Sequence, residues 1–330
     1  MTAFLTRREL VLGAAASLAS SLAGAQGATK AWPSRPVKVI VPGGAGGVLD
    51  VLARQLYTRL QETLGQPFVV ENRTGANGLI GSTAVKNAAP DGYTILHSTA
   101  SSMVMAEALN PDLPIKTLRD LEPVALSSVG GVLLAVHPSV PAKTLPELVD
   151  LLRREPKKYA SYGSWGIGSN GHLTMEWIKQ RAGLTIEHVP YKTAPGLLTD
   201  IVGGVIPIGW IDVASPLGFI AQGKLRPIAL TGTVRSPKLP DIKVLSEQGY
   251  PFTPAGWQGI FAPKGTPSEI VERLHNAINH EQVQPAFRAA LLQSNIPPAE
   301  AVSRQAFVQT ITNDLAAWRK VVVDGNIKPE

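Results

Sequence analysis

Apolar side chains fall at Val37, Val39 and Val41, every second residue in a β-branched stretch, and this period of two predicts a strand at 35–42. After a glycine cluster the period changes. Leu52, Leu56, Leu60 and Leu64 recur every fourth residue and lay one apolar stripe along a helix, which Gly65 and Pro67 should end. The alternation then repeats: "PFVVEN" reads as a strand, "NGLIGSTAVKNA" as a helix closing at Pro90-Asp91-Gly92, and "YTILHS" as a strand. Strand, helix, strand, helix, strand at this spacing predicts a parallel sheet with right-handed crossovers.

A second series follows. "GVLLAVHP" reads as a strand and "TLPELVDLLRREP" as a helix opened by a capping box of Thr144 and Glu147. "KYASYG" is a strand that runs into "GSWGIGSNGH" and the helix "HLTMEWIKQRAG"; "LTIEHVPY", a helix around "LLTDIVGG", and "LRPIALTG" come next. The last third holds "GWQGIFAP" and helices at 268–279, 285–294 and 304–323. No internal repeat and no flexible linker is visible, which fits lobes joined by crossing strands.

Composition narrows the function. At 330 residues the chain exceeds the size at which one hydrophobic core keeps growing, so two lobes are expected; 44% apolar and 17% charged residues mark a globular protein. The net charge is +6, but the basic residues are scattered, so nucleic acid is not an expected partner. A mild positive field suits small anions. The absence of cysteine excludes disulfides, thiolate metal sites and a cysteine nucleophile, and the six histidines form no H-x-x-x-H or H-E-x-x-H pattern, so no metal site is expected. No G-x-S-x-G elbow occurs either.

The N-terminus reads as an export signal. Thr6-Arg7-Arg8-Glu9-Leu10-Val11-Leu12 leads into an uncharged run of Ala, Ser and Leu, and Ala23-Gly24-Ala25 supplies the small residues of a cleavage site. Residues 1–25 are thus expected to be removed on the way to the periplasm, by a twin-arginine or a Sec route.

Two glycine turns carry the candidate chemistry. The first is Pro42-Gly43-Gly44-Ala45-Gly46-Gly47, and the second is Gly166-Ile167-Gly168-Ser169-Asn170-Gly171. Each stands between a strand and a helix, where unpaired backbone N–H groups and a positive helix end can hold an anion. A phosphate-binding loop would need Gly-Lys-Ser/Thr, whereas the first turn ends in Val48-Leu49-Asp50; Asp50 is most simply a favourable charge in a helix first turn. The second turn fits G-x-G-x-x-G, and Glu187 stands near the distance at which an acid would hold a ribose, so an NAD-dependent enzyme is one reading. The simpler reading is capture without turnover or cofactor. Two lobes close over a small anion, each offering backbone donors.

The residues also carry a resemblance. "WPSRPVKVIVPGGAGGVLDVLARQL", "LGQPFVVENRTGANGLIGSTAVKNAAPDGYTIL", "HPSVPAKTLPELV", "YGSWGIGSNGHL", "HVPYK", "LTDIVGG", "GKLRPIALTG" and "GIFAPKGTP" resemble the Bug family of extracytoplasmic solute receptors, the substrate-binding components of tripartite tricarboxylate transporters. The likeness runs from Trp32 nearly to the C-terminus. It implies an α/β, two-lobed type II periplasmic-binding-protein fold: two mostly parallel sheets flanked by helices, with the ligand cleft between lobes at 32–128 plus 232–330 and at 129–231. It implies a monomer that binds a small carboxylate and works with membrane permease subunits.

By the same resemblance, backbone amides and waters at Gly43, Gly44, Ala45, Gly46, Gly47, Leu49 and Asp50 hold the carboxylate. The other end of the ligand meets Tyr162, Ser164, Trp165, Gly168, Ser169 and Asn170, together with Trp210 and Asp212, and Ser98 and Thr99 form a further hydroxyl loop. The family pattern Pro-Phe-x-x-Gly-Gly-x-Thr-Asp is broken by Gly43 and Leu49; Trp165 replaces a small hydroxyl residue, and Pro207 stands at a common aspartate position. These departures predict a less polar pocket and an aromatic or apolar carboxylate. Trp165 could instead be a packing residue, and Asp212 could receive a ligand donor, repel a second carboxylate or cap a turn. A ligand sensor for a membrane signalling partner is the remaining reading.

Overall fold

Two separate five-stranded sheets organise the chain, one with its strands in the order Phe68–Asn72, Val37–Val41, Thr94–Thr99, Gly256–Pro263, Leu121–Gly130 and the other in the order Glu187–Pro190, Ser161–Ser164, Ile208–Ile211, Leu133–Val136, Arg226–Leu230. The computed structural model describes residues 32–328 other than 234, 253 and 255, and the export-signal reading lies outside them. The chain divides into Met1–Ser34 and Arg35–Glu330, and both sheets belong to the second unit.

In chain order the first lobe contains β1 (Val37–Val41), α1 (Val48–Leu64), β2 (Phe68–Asn72), α2 (Leu79–Lys86) and β3 (Thr94–Thr99). A π-helical turn, Ser101–Met105, runs into α3 (Ala106–Leu109), and α4 (Thr117–Asp120) precedes β4 (Leu121–Gly130). The second sheet and its helices follow: β5 (Leu133–Val136), α5 (Leu145–Arg154), β6 (Ser161–Ser164), α6 (Asn170–Ala182), β7 (Glu187–Pro190), α7 (Ala194–Val202), β8 (Ile208–Ile211), α8 (Leu217–Ala221) and β9 (Arg226–Leu230). The chain then returns with β10 (Gly256–Pro263), α9 (Ser268–Gln282), α10 (Pro285–Gln293) and α11 (Arg304–Asp324).

The expected αβ rhythm is present, and Gly65 ends α1 in the left-handed conformation at φ 73°. The sheets are mixed: β1 pairs in parallel with β2 and β3, and β6 with β7 and β8, while β10 and β5 run antiparallel to both of their neighbours. The antiparallel strand in each sheet is the one that enters directly after a crossing between lobes. A returning chain comes in from the opposite side and so reverses the local direction.

Periodicity alone missed two strands. β4 carries Pro123, which an edge strand tolerates because one side needs no ladder bond, and β4 is the edge of its sheet. β8 is central, but Pro207 precedes it and Gly209 interrupts it, both of which read as turn signals. Gly209 is needed for packing: a Cβ there would overlap the Ile201 side chain of α7.

The two crossings lie side by side. Thr231 N–H donates to the Val132 carbonyl at 3.0 Å, and Val132 N–H donates to Thr231 Oγ1 at 2.9 Å. Gly131 has no room for a side chain because the Thr231 carbonyl occupies that space, and a Cβ on Gly256 would meet the Gly130 carbonyl at 2.8 Å. The two crossing segments are thus tied to each other where the chain passes between the lobes.

Candidate functional site

The first glycine turn leaves β1 at Pro42 and enters α1 through Gly47, which has no side-chain cap. Gly44, Ala45 and Gly46 are exposed. Asp50 braces the turn from inside: its carboxylate accepts from Gly46 N–H at 2.9 Å, Arg54 Nε at 3.0 Å and Asn72 Nδ2 at 3.0 Å. Asn72 also donates to the Gly43 carbonyl at 2.9 Å. Burial alone would raise the Asp50 carboxyl, but the hydrogen bonds from Arg54, Gly46 and Asn72 outweigh it and hold the group below the usual carboxylate range. Asp50 therefore shapes the loop, and its oxygens are turned to the protein.

The amides of Val48 and Leu49, in the first turn of this 17-residue helix, have no partner among the described residues. They carry the positive end of the helix dipole. A Cβ on Gly43 would lie 3.3 Å from Leu49 Cδ2, so the two departures from the family pattern are neighbours in space. Leu49 occupies room beside the position where an aromatic would stand.

The second turn is built differently. Gly166 and Gly168 take φ of 125° and 73°, and a Cβ on Gly171 would overlap Trp210 of β8, so the three fingerprint glycines are explained by backbone shape and close helix–strand packing. Its amides are already engaged: Gly166 N–H with Ser164 Oγ at 3.4 Å, Gly168 N–H with His172 Nδ1 at 3.1 Å, Ser169 N–H with the Gly166 carbonyl at 3.2 Å, and His172 N–H with Ser169 Oγ at 3.3 Å. The expectation of two equivalent donor turns does not match this arrangement. Ile167 and Gly171 alone keep amides without a partner in this turn and the residue that follows it, among the described residues.

One amide crosses the cleft. Asn170 N–H donates to Ser101 Oγ of the first lobe at 3.2 Å, and a Cβ on Gly168 would come within 3.0 Å of Leu109 Cδ2. Sequence reasoning missed Ser101, for nothing in "HSTASS" separates it from its neighbours. Thr99 Oγ1 accepts from Ser102 N–H at 3.3 Å and so closes the turn after β3. Ser98 Oγ, Asn170 Nδ2 and Trp210 Nε1 are buried without a partner among the described residues, as is Gln258 Oε1, which β10 sets opposite Thr99. A buried polar atom left so costs about 1–3 kcal/mol unless a ligand or water satisfies it.

Tyr162 and Asp212 are occupied elsewhere. The Tyr162 ring is fully buried and its hydroxyl donates to Glu176 Oε1 at 2.9 Å, within the second lobe. Asp212 Oδ1 accepts from Ala214 N–H at 2.9 Å and Ser215 N–H at 2.7 Å, the turn-capping alternative. Trp165 and Ile167 are half-buried and pack against the main core. Glu187 is exposed and pairs with Ser161 at the start of β6, three residue steps or about 10 Å from Ser164 and the turn, which is the wrong end of the strand for a ribose.

Behind the second turn two histidine rings stack at 4.1 Å between centroids, His172 of α6 on His188 of β7. Burial lowers His172 to about 4, with Glu176 opposing and Lys179 assisting. Burial, His172 and Lys179 together bring His188 to about 3. Both rings are neutral at pH 7.

Two lobes joined by paired crossings, with strand-end turns meeting across the cleft, define a two-lobed solute-binding receptor. Residues 52–327 match the tripartite tricarboxylate transporter family receptor, and the chain belongs to that family. Protein BugT of Bordetella pertussis is 34% identical over 90% of this chain and 91% of its own. Rpa4515 of R. palustris, solved with adipate, superposes with a TM-score of 0.84 at 30% identity, covering 91% of this chain and 100% of that one. MatC of Rhodopseudomonas palustris, solved with bound malate, gives 0.81 at 28% identity over 88% of this chain and 100% of its own. The family read from the quoted segments is therefore the right one, and so is the two-lobed fold.

Proposed function

We propose that this receptor captures a small organic carboxylate in the periplasm, after export and cleavage near Ala25, and delivers it to the membrane permease of a tripartite tricarboxylate-type transporter. The chain acts as a monomer, with lobes at 32–128 plus 232–330 and at 129–231. The observation that carries this reading is the uncapped start of α1, where the Val48 and Leu49 amides have no partner among the described residues and stand at an exposed glycine turn, while the nearby Arg54 guanidinium is already engaged by Asp50. A carboxylate satisfies such donors without a countercharge. Relatives of the same fold that were solved with adipate and malate agree with a carboxylate ligand.

The second turn supplies shape. With most of its amides engaged, it offers Trp165 and Ile167 as apolar surface, while Asn170 of α6, Trp210 of β8, Ser98 of β3 and Gln258 of β10 add isolated polar points. That arrangement favours one carboxylate attached to an aromatic or apolar body over a ligand charged at both ends.

A thermal-shift panel of benzoate, adipate, malate, citrate and NAD tests this. A carboxylate at a hundred times its Kd should add about 2.7 kcal/mol of stability. Stabilisation by NAD and by no carboxylate would overturn the receptor reading.

A further inference from the structure

We propose that His172 and His188 are positioning residues that hold the second turn in the shape which docks on the first lobe, and that protonation of His172 releases it. The importance of that turn for ligand rests on the proposed function; its being held by the histidines does not.

Each ring ends on the same short loop. His172 Nδ1 accepts the Gly168 amide at 3.1 Å, so its ring proton is on Nε2. His188 Nε2 meets Ser164 Oγ at 2.7 Å, and Ser164 Oγ meets Ser169 Oγ at 2.9 Å; Ser169 in turn caps α6 through His172 N–H. The backbone and the two rings thus close a loop of hydrogen bonds from Ser164 to His172. Gly168 is left against Leu109 and Ala106, and Asn170 N–H against Ser101, on the other side of the cleft.

A proton on His172 Nδ1 would face the Gly168 N–H, donor against donor. The groups around the pair do not compensate. Glu176 and Lys179, on α6 itself, are joined to each other at 2.7 Å, and the Tyr162 hydroxyl of β6 already donates to Glu176. The π-helical turn presents Ser101 and Met105, β8 presents Trp210, and α11 meets α6 through Gly325 at Gln180, about two helical turns from His172. A charged ring also loses the stacking partner's tolerance, because His188 lies 4.1 Å away.

The test needs no ligand. Hydrogen–deuterium exchange over 164–170 is followed in the mature wild type, His172→Asn and His172→Leu, with peptides from β1 and β3 reporting global folding. Asparagine places an acceptor oxygen where Nδ1 stands and does not titrate. At pH 7 the wild type and His172→Asn should be equally protected, and His172→Leu should exchange at least about tenfold faster, the signature of a lost buried hydrogen bond. At pH 4, after correction for intrinsic exchange, the wild type should rise to the leucine level while His172→Asn does not. Equal protection of all three at pH 7, or the same acid response in the asparagine variant, would overturn the proposal. If His172→Leu does not fold, the acid comparison of wild type and His172→Asn decides alone.

Discussion

The backbone amide of Asn170 donates to the hydroxyl of Ser101 at 3.2 Å, a hydrogen bond that joins the start of α6 in one lobe to the turn after β3 in the other. A bond of this kind counts only in the closed arrangement. Ser101→Ala should lower stability by about 1 kcal/mol in urea unfolding, and Ser101→Thr should lose less because the hydroxyl remains. An unchanged midpoint in Ser101→Ala would mean that the contact is not populated in solution.

Asp50 anchors the first turn through Gly46, Arg54 and Asn72. Asp50→Ala leaves those donors without their acceptor in a half-buried site and should cost roughly 2–4 kcal/mol. Asp50→Asn retains size and part of the bonding, so its loss should be smaller. If denaturation shows the two variants alike, the carboxylate charge does not matter to the brace.

The glycines separate by what surrounds them. A Cβ on Gly171 overlaps Trp210, whereas one on Gly44 meets nothing within 4 Å. Gly171→Ala should destabilise by about 1–3 kcal/mol through overpacking. Gly44→Ala should unfold at the wild-type midpoint and instead weaken carboxylate binding in calorimetry, by crowding the approach to the α1 amides. Equal stability of the two variants would show that α6 can shift away from β8 freely.

Acid stability follows from three histidines that the fold desolvates, His97 and His172 buried and His188 half-buried. Burial takes His97 to about 3 and His172 to about 4, and burial with neighbouring charge takes His188 to about 3, against 6.5 in an unfolded chain. Between these values the unfolded chain binds protons that the folded chain refuses, so stability is full above pH 6.5 and falls as pH drops towards 4. Each histidine contributes a slope of about 1.4 kcal/mol per pH unit. Denaturation at pH 7, 6 and 5 should show the decline, and His172→Asn should remove about one histidine's share. A slope that the variant leaves intact would refute the assignment.

Trp165 is the candidate for ligand selection. Trp165→Ser should shift preference from aromatic towards small polar carboxylates by about 1–2 kcal/mol, the scale of an aromatic contact and its buried area. Competition binding between benzoate and malate measures it. No change in the ratio would leave Trp165 as a packing residue.

The legible part of this protein is what depends on neighbours along the chain. Valines in alternation at 37, 39 and 41, leucines every fourth residue from 52 to 64, and Gly65 beyond them determine β1, α1 and its end, because strand and helix periods and left-handed caps are local properties. The quoted segments likewise sufficed for the family. The mixed sheets, β4 and β8 needed the tertiary structure, since an antiparallel entry and a glycine under a side chain of another element have no period.

The same division runs through the site. G-x-G-x-x-G and P-G-G-A-G-G look alike as sequence, both promising free amides ahead of a helix. Only the fold decided that the first gives up Gly46 N–H to Asp50 and Gly47 N–H to the Gly44 carbonyl but leaves Val48 and Leu49 N–H without a partner among the described residues, and that most of the second's amides go to Ser164, the Gly166 carbonyl, Ser169, His172 and, across the cleft, Ser101. Hydrogen-bond partners 69 residues apart are fixed by the approach of two lobes, and no short-range pattern encodes that distance.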